Sequence, residues 1–223
     1  MKFIPCSCLA FILLADTAPG AIFYVDQNAT GANNGTSWAH AFPGLQSALT
    51  AAGPGDEIDV AQGTYYPEND ESANPTPADP RTKTFFINKN IALFGGFKVT
   101  NGVLEARDVD TFRTVLSGDI GTRSNVSDNC YHVLLFDCVS NACRLDGFYV
   151  QEGQANGADE VNKGGAGAYL RALGGQQTSP HFVNCRFEKN TGSRGAVLLD
   201  VYDNDDDTKF GGFNLLSNIA PWL

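Results

Sequence analysis

The sequence predicts an all-β solenoid, a fold in which short strands stack in successive rungs, and three observations lead to this prediction. Three segments align without gaps: LDGFYVQEG (145–153), FVNCRFEKN (182–190) and FGGFNLLSN (210–218). Two further segments also resemble each other: GAGAYL (165–170) and SRGAVL (193–198). They are 28 residues apart, as are the last two of the three aligned segments. No segment with helical periodicity follows residue 96. The alternative is an antiparallel sandwich whose segments are similar by coincidence.

The first 20 residues predict a secretory signal peptide. Lys2 precedes an apolar run from Phe3 to Ala15, and small residues near Gly20 offer cleavage points. This run is shorter than the roughly 20 residues that a membrane-spanning helix needs. We therefore expect a secreted or cell-surface protein without a transmembrane segment. The expected organisation is a signal over residues 1–20, an N-terminal cap with the first rungs over 21–100, and further rungs over 101–223.

One amphipathic helix is predicted over residues 43–52. A Gly-Pro-Gly sequence from Gly53 ends it. Its apolar residues recur with helical spacing, and they are Leu45, Ala48, Leu49 and Ala52.

Strand alternation predicts which repeat residues point inward. The two inward columns are Phe148/Cys185/Phe213 and Val150/Phe187/Leu215. The turn column is Gly153/Asn190/Asn218. Asparagine suits such a turn for two reasons: the residue tolerates a left-handed backbone conformation, and its side-chain amide can hydrogen-bond to the same position one rung away.

The order FEKN…RGAV resembles the FxxN and GGA(I/L/V) repeats of the chlamydial polymorphic outer-membrane proteins. More broadly, the segments PGDEIDVAQGTYYP, IALFGGF and TVLSGDIG are similar to those of secreted bacterial proteins of the pectin-lyase-like type. Arg194 departs from the second motif and Leu215 from the first. The resemblance covers about residues 23–220 and implies a right-handed parallel β-helix with an N-terminal capping helix. Since these proteins usually continue for many more rungs, it also implies a chain truncated at its C-terminus.

Composition argues against a nucleic-acid-binding protein. The formal net charge is −10, and no block of lysines or arginines is present to contact phosphates. His40, His132 and His181 are too far apart in sequence to indicate a zinc site.

Four cysteines follow the predicted signal: Cys130, Cys138, Cys143 and Cys185. Cys138 and Cys143 flank a four-residue loop that a disulfide would pin, and the sequence leaves this pairing open. Cys185 lies in a strand-like run and is predicted to be a small buried apolar residue.

The only metal site that the sequence suggests is an acidic cluster in DVYDNDDDTK. Asp203, Asp205 and Asp207 alternate, and such a spacing can arrange oxygen ligands around calcium. The glycine and the distal glutamate of an EF-hand are missing, so a solvated turn explains the cluster as well. No other cofactor is predicted.

The favoured function is that of an adhesin-like or glycan-binding protein that recognises glycans or host and cell-surface molecules. The resembled lyases hold calcium-binding aspartates beside a basic residue on an outward face. The outward column here holds Tyr149, Arg186 and Asn214, and one arginine without an acidic partner does not indicate a lyase site. The alternative is a polysaccharide lyase or glycoside hydrolase acting on acidic polysaccharide, for which the sequence indicates no catalytic residue and no carboxylate pair.

Overall fold

The computed structural model describes residues 20–159, 161–173, 178–192, 197–202 and 215–216. Short strands dominate, together with one α-helix, α1 (Leu45–Ala51), and four single-turn 3-10 segments. The 3-10 segments are Trp38–His40, Pro80–Thr82, Val126–Asp128 and Val161–Lys163. The strands are β1 (Ile22–Val25), β2 (Glu57–Ala61), β3 (Gly63–Tyr65), β4 (Phe85–Ile87), β5 (Ala92–Thr100), β6 (Val103–Arg107), β7 (Thr114–Ser117), β8 (Leu134–Asp137), β9 (Arg144–Asp146), β10 (Phe148–Gln151), β11 (Gln154–Ala155), β12 (Ala168–Leu173), β13 (His181–Val183), β14 (Arg186–Glu188), β15 (Thr191–Gly192), β16 (Val197–Tyr202) and β17 (Leu215–Leu216).

These strands form four sheets within the described residues. The first sheet has the order β1-β2-β5-β9-β13-β17, the second β14-β10-β7-β3 and the third β16-β12-β8-β4, while β11 pairs with β15 in the fourth. Neighbouring strands run parallel, except that β6 folds back antiparallel on β5. Since parallel neighbours cannot be joined by a tight turn, each connection leaves the sheet and supplies a strand or loop elsewhere.

The prediction of a single right-handed parallel β-helix is wrong. The strands are divided among several small sheets, a hairpin strand runs antiparallel at the edge of the first sheet, and α-helical and 3-10 segments interrupt the strands. The structure is β-rich and mostly parallel, and it is irregular. The physical reason lies in the connections, because they differ in length and several of them fold into local structure of their own.

The 28-residue offset predicted for the last copies of the repeat is also wrong. Leu145 pairs with Phe182 as the alignment predicted, but Phe182 pairs with Leu215 instead of corresponding to Phe210. Ala168 likewise pairs with Val197, one residue beyond the predicted Ala196. Pairing follows the inward and outward alternation of side chains and is indifferent to loop length. The gapless alignment therefore put apolar residues in the same column although the strands do not pair them.

The predicted amphipathic helix is confirmed as α1. Leu45, Ala48 and Leu49 form its buried face, and the helix packs against β1, β2 and β4. No side chain caps its N-terminus at Gly44. At the other end, Nζ of Lys89 donates to the carbonyls of Leu49 (2.8 Å) and Ala52 (2.6 Å). A cation there satisfies carbonyls that the last helical turn leaves open and complements the helix dipole.

The main core is one cluster that runs from β1 to β14, and a smaller second cluster joins Trp38, Ala61 and Phe97. Phe148 and Val150 are fully buried, and Cys185 and Phe187 are less than a tenth exposed, which confirms their predicted inward direction. Phe182 packs edge-on against both Phe136 and Phe187, with ring centroids 5.5 and 5.4 Å apart. Each large apolar side chain buried in this way contributes roughly 1.5–3 kcal/mol. Phe213 lies outside the described residues.

Asn190 connects successive passes of the chain, as its turn position predicted. Its Nδ2 donates to the carbonyl of Val150 (2.8 Å), and its Oδ1 accepts from the backbone N–H of Gly153 (2.9 Å). The side chain is buried, so both amide groups replace water with backbone partners. Asn218, the third member of the turn column, lies outside the described residues.

Among the described residues no disulfide joins Cys138 to Cys143. Sγ of Cys138 instead donates to Oδ1 of Asp137 (3.1 Å). Burial raises the pKa of Cys130 and Cys143 to about 12 and that of Cys185 to about 11. Because the reactive form of cysteine is the thiolate, these three thiols are chemically quiet in the folded protein.

None of the helices in the described residues has the length and apolar character needed to cross a membrane. Apart from Gly20, the predicted signal peptide lies outside the described residues.

Candidate functional site

The predicted calcium ligands Asp203, Asp205 and Asp207 lie outside the described residues. Elsewhere, the described ranges hold no group of three or more His, Cys, Asp or Glu side chains that could bind a metal ion. Calcium binding therefore stays a prediction.

The predicted outward column is present but is not an open surface. Tyr149 pairs with Arg186 in register, yet Tyr149 is only 3% exposed. The guanidinium groups of Arg113 and Arg186 cover its ring at 4.8 and 5.4 Å from the centroid. Arg186 also has an acidic partner, Asp110, at 3.1 Å, which the sequence did not reveal because Asp110 comes from a distant loop. Asn214 lies outside the described residues.

A cavity of about 450 Å³ lies between two loops. One loop follows β3 and leads to β4, and the other follows β7. We call this cavity the basic pocket; its polar lining residues include Tyr66, Asp79, Arg81, Lys83, Arg123 and Asp128.

Aspartate side chains fix the shape of both loops. Oδ1 of Asp79 accepts from the backbone N–H of Arg81 (3.0 Å) and caps the 3-10 turn that follows. Asp128 accepts from the N–H of Thr122 (2.9 Å), and buried Asp119 accepts from the N–H of Ser124 (3.1 Å). Asp119 thereby caps the turn that follows it. These carboxylates are engaged with backbone donors, which is what short acidic side chains do at turns.

The cations of the basic pocket are held by neutral groups. Arg81 donates to the carbonyls of Asn129 (2.7 Å) and Gln154 (2.6 Å) and to Oδ1 of Asn156 (2.6 Å). Arg123 donates to the carbonyl of Asp119. None of these acceptors is a carboxylate, so these hydrogen bonds fix the guanidinium groups without neutralising their charge.

Two tyrosine rings stack against the guanidinium groups of the basic pocket. The guanidinium of Arg81 lies 4.1 Å from the ring centroid of Tyr131, and that of Arg123 lies 3.7 Å from the centroid of Tyr66. The hydroxyl of Tyr131 donates to Oδ2 of Asp79 (3.0 Å). Such stacking is favourable and orients the planar guanidinium groups. Lys83 forms no ion pair within the described part of the chain.

A carboxyl pair lies on the outer face of β2. Glu57 and Asp59 are two residues apart and so point to the same side of the strand. Desolvation, with Glu57 adding its charge and a hydrogen bond, raises the pKa of Asp59 to about 7. The two carboxyl groups therefore do not ionise independently.

Sequence reasoning missed the basic pocket. Its residues come from two loops that are distant in sequence. They are brought together by Arg81, which donates to the carbonyls of Asn129 in the second loop and of Gln154 in β11. The only sequence signal was the basic pair in PRTK, which has no diagnostic spacing.

Comparisons of the chain with protein-family models, with curated proteins and with solved structures found no match. The resemblance to pectin-lyase-like proteins and to the polymorphic membrane protein repeats therefore stays a prediction.

Proposed function

We propose that this protein is a secreted or cell-surface glycan-binding protein and that its basic pocket binds acidic glycans through their carboxylates. The observation that carries the proposal is the meeting of Arg81, Lys83 and Arg123 at one cavity, where the acceptors that hold the two arginines are neutral. Asp79 and Asp128 also line the pocket, but their carboxylates accept from backbone N–H groups, and none of the three cations forms an ion pair among the described residues. A carboxylate ligand would supply that pairing, because charge-assisted hydrogen bonds from Arg and Lys to carboxylates are the strong ones.

Local attraction outweighs the negative charge of the whole chain. At about 4 Å, a cation and a carboxylate attract by about 4 kcal/mol with an effective dielectric constant near 20. The chain's net charge of −10 acts over longer distances, and at physiological salt it is screened beyond about 8 Å. An anionic sugar that reaches the pocket is therefore held, while approach is slowed at low salt.

The pocket also suits the size and the apolar faces of a saccharide. Its volume of about 450 Å³ lies within the range of roughly 300–1,000 Å³ that ligand pockets occupy. Pro67, Pro80 and Ile120 supply apolar lining beside Tyr66. Sugars present both C–H surfaces and hydroxyl groups, so a mixed wall of this kind fits them.

The test is calorimetric titration with trigalacturonate, using a neutral galactotriose as the comparison. Lys83→Gln and Arg123→Gln should each weaken trigalacturonate binding by roughly tenfold, since one charge-assisted hydrogen bond contributes about 1.5–3 kcal/mol. Lys98→Gln is the matched control, because Lys98 is exposed and paired with Glu105 at 2.7 Å on the β5–β6 hairpin. Equal affinity for the neutral trisaccharide, or unchanged binding in both pocket variants, would contradict the proposal.

The same mixtures separate binding from the lyase alternative. A lyase would release unsaturated uronides that absorb in the ultraviolet, whereas a binding protein leaves the trisaccharide intact. We expect no rise in absorbance over hours of incubation.

A further inference from the structure

A second cavity, of about 250 Å³, lies beside the basic pocket. The segment 81–84 separates the two: Arg81 and Lys83 line the basic pocket, and Thr82 and Thr84 line the second cavity. We call it the histidine cavity; the lining residues that matter here are Glu71, His132, Leu135, Val161, Tyr169 and Arg171. β8 and β12 supply Leu135, Tyr169 and Arg171, so one wall is the outer face of the third sheet.

His132 is held in one tautomer. It is 7% exposed, and its ring stacks on Tyr169 with centroids 4.9 Å apart and planes 20° apart. Its Nδ1 lies 3.1 Å from the carbonyl oxygen of Gly165. Because a carbonyl only accepts hydrogen bonds, Nδ1 carries the proton and Nε2 presents a lone pair.

Nε2 of His132 is buried, and no group of the described residues forms a hydrogen bond of normal geometry with it, although the side chain of Asn162 lies close enough to oppose the lowering of the imidazole pKa. The neighbouring amide of Asn162 is turned to Asp159, with Nδ2 at 2.9 Å from Oδ2 and the backbone N–H at 2.8 Å from Oδ1. A buried acceptor without a donor costs about 1–3 kcal/mol. A ligand that brings an O–H or N–H group into the cavity removes that cost.

The charges around the cavity disfavour an anion. Arg171 is bound by two carboxylates, Glu71 Oε2 at 2.8 Å from Nη1 and Asp137 Oδ2 at 2.7 Å from Nη2. Asp70 adds a further carboxylate to the lining. The cation is thus already neutralised, in contrast to the cations of the basic pocket. Burial also lowers the pKa of His132, which keeps the imidazole neutral at pH 7 and able to accept.

We propose that the histidine cavity binds a neutral, hydroxyl-rich ligand, a single sugar residue, with one hydroxyl group donating to Nε2 of His132. The volume of about 250 Å³ is slightly below the roughly 300 Å³ at which pockets for larger ligands begin, and it suits one sugar ring. Thr82, Thr84 and Ser72 place further hydroxyl groups in the lining. This site is separate from the acidic-glycan pocket and does not depend on it.

The test is saturation-transfer NMR of the full chain with D-galactose, D-glucose and D-xylose, together with the ring ¹⁵N resonances of His132. At least one sugar should receive saturation and shift the Nε2 resonance. His132→Phe keeps an aromatic ring on Tyr169 but removes the acceptor, and it should weaken binding by roughly tenfold. His181→Phe is the control, because His181 also has a buried Nε2 without a partner but does not line the cavity.

A second variant keeps the proposal testable if His132→Phe does not fold. Val161 is 37% exposed at the cavity, so Val161→Trp should fill the opening without disturbing the core, and it should abolish the saturation signal. Lys83→Gln should leave sugar binding unchanged. The proposal is overturned if no neutral sugar gives a signal or if the folded cavity variants bind like the wild type. It is also overturned if His181→Phe loses binding to the same extent as His132→Phe. A third contrary result is that D-galacturonate binds as tightly as the neutral sugars and shifts the same resonance.

Discussion

The carboxyl group of Asp59 is the clearest case of one residue perturbed by its surroundings. Phe94 occupies the adjacent position on β5 and Tyr24 the one on β1, so aromatic side chains flank Asp59 on the sheet. Desolvation raises its pKa from the ordinary value of 3.8 to about 7, Glu57 adds to the shift, and the charge of Arg107 opposes it. Its Oδ1 is buried without a partner among the described residues.

This environment predicts a stability that falls as pH rises. Below pH 3.8, Asp59 is protonated in the folded and the unfolded chain. Between there and about pH 7 the unfolded chain loses this proton while the folded chain keeps it, so stability is lost over that window and stays low above it. Asp59→Asn should therefore match the wild type near pH 4 and be the more stable protein at pH 8.

Thermal melting from pH 4 to pH 8 measures the effect. Because Asp59 is partly solvated, we expect a gain on the order of 1 kcal/mol at pH 8, or about 2–4 °C in Tm for a chain of this size. Glu68→Gln, at an exposed carboxylate, is the control. A difference between Asp59→Asn and wild type that does not change with pH would show that Asp59 is ionised in the folded protein.

Sequence alternation predicted single residues well where one side of the strand faces the core. It predicted the burial of Phe187 and Cys185. The turn position likewise predicted the hydrogen bonds of Asn190 to the preceding pass of the chain. Alternation did not predict the burial of Tyr149, because the ring is covered by Arg113. That arginine lies just before β7, one pass earlier in the chain. Nor could alternation give the tautomer of His132, which depends on the Gly165 carbonyl 33 residues away.

At the scale of elements, α1 depends on a contact that its own sequence does not contain. The helix has seven residues, and isolated helices of that length are not stable in water. Lys89, which precedes β5, donates to two carbonyls at the helix C-terminus. The helix is therefore tied to the first sheet by a side chain as well as by its apolar face.

Lys89→Met should loosen α1 while keeping the aliphatic part of the side chain. Two carbonyls lose a charged donor, and we expect a loss of about 1.5–3 kcal/mol in local stability. Amide hydrogen exchange over residues 43–52 should accelerate by roughly tenfold or more. Lys98→Met is the control, because its ion pair with Glu105 is about 40% exposed on both sides and such pairs contribute little. Unchanged exchange in Lys89→Met would mean that apolar packing alone holds the helix.

Elements with strong periodicity were predictable and the connections between them were not. The helix over Leu45–Ala51 followed from its apolar spacing, and the pairing of Leu145 with Phe182 followed from alternation. The offset of Leu215 and the antiparallel return of β6 did not, because both depend on how a particular loop folds. The basic pocket consists entirely of such loops, which is why the sequence alone did not predict it.

At the scale of the whole molecule, one core connects the passes of the chain. Cys130 precedes β8, Cys143 precedes β9 and Cys185 lies between β13 and β14, so these three thiols mark different layers of the stack. All three belong to the same buried cluster. A continuous, close-packed core favours loss of structure in one cooperative transition.

The three thiols should therefore become reactive together. Buried and with raised pKa values, they should resist N-ethylmaleimide in the native protein. In a urea series with brief labelling pulses, peptide mass spectrometry should give one common midpoint for Cys130, Cys143 and Cys185, and no peptide in which Cys138 is linked to Cys143. If Cys185 were labelled at a clearly lower urea concentration than Cys143, the β13–β14 layer would be unfolding by itself. Because parallel strands contact mainly their neighbours in the sheet, one layer could in principle unfold before the others. Phe182 packs against both Phe136 and Phe187. We expect these aromatic contacts to make the layers unfold together.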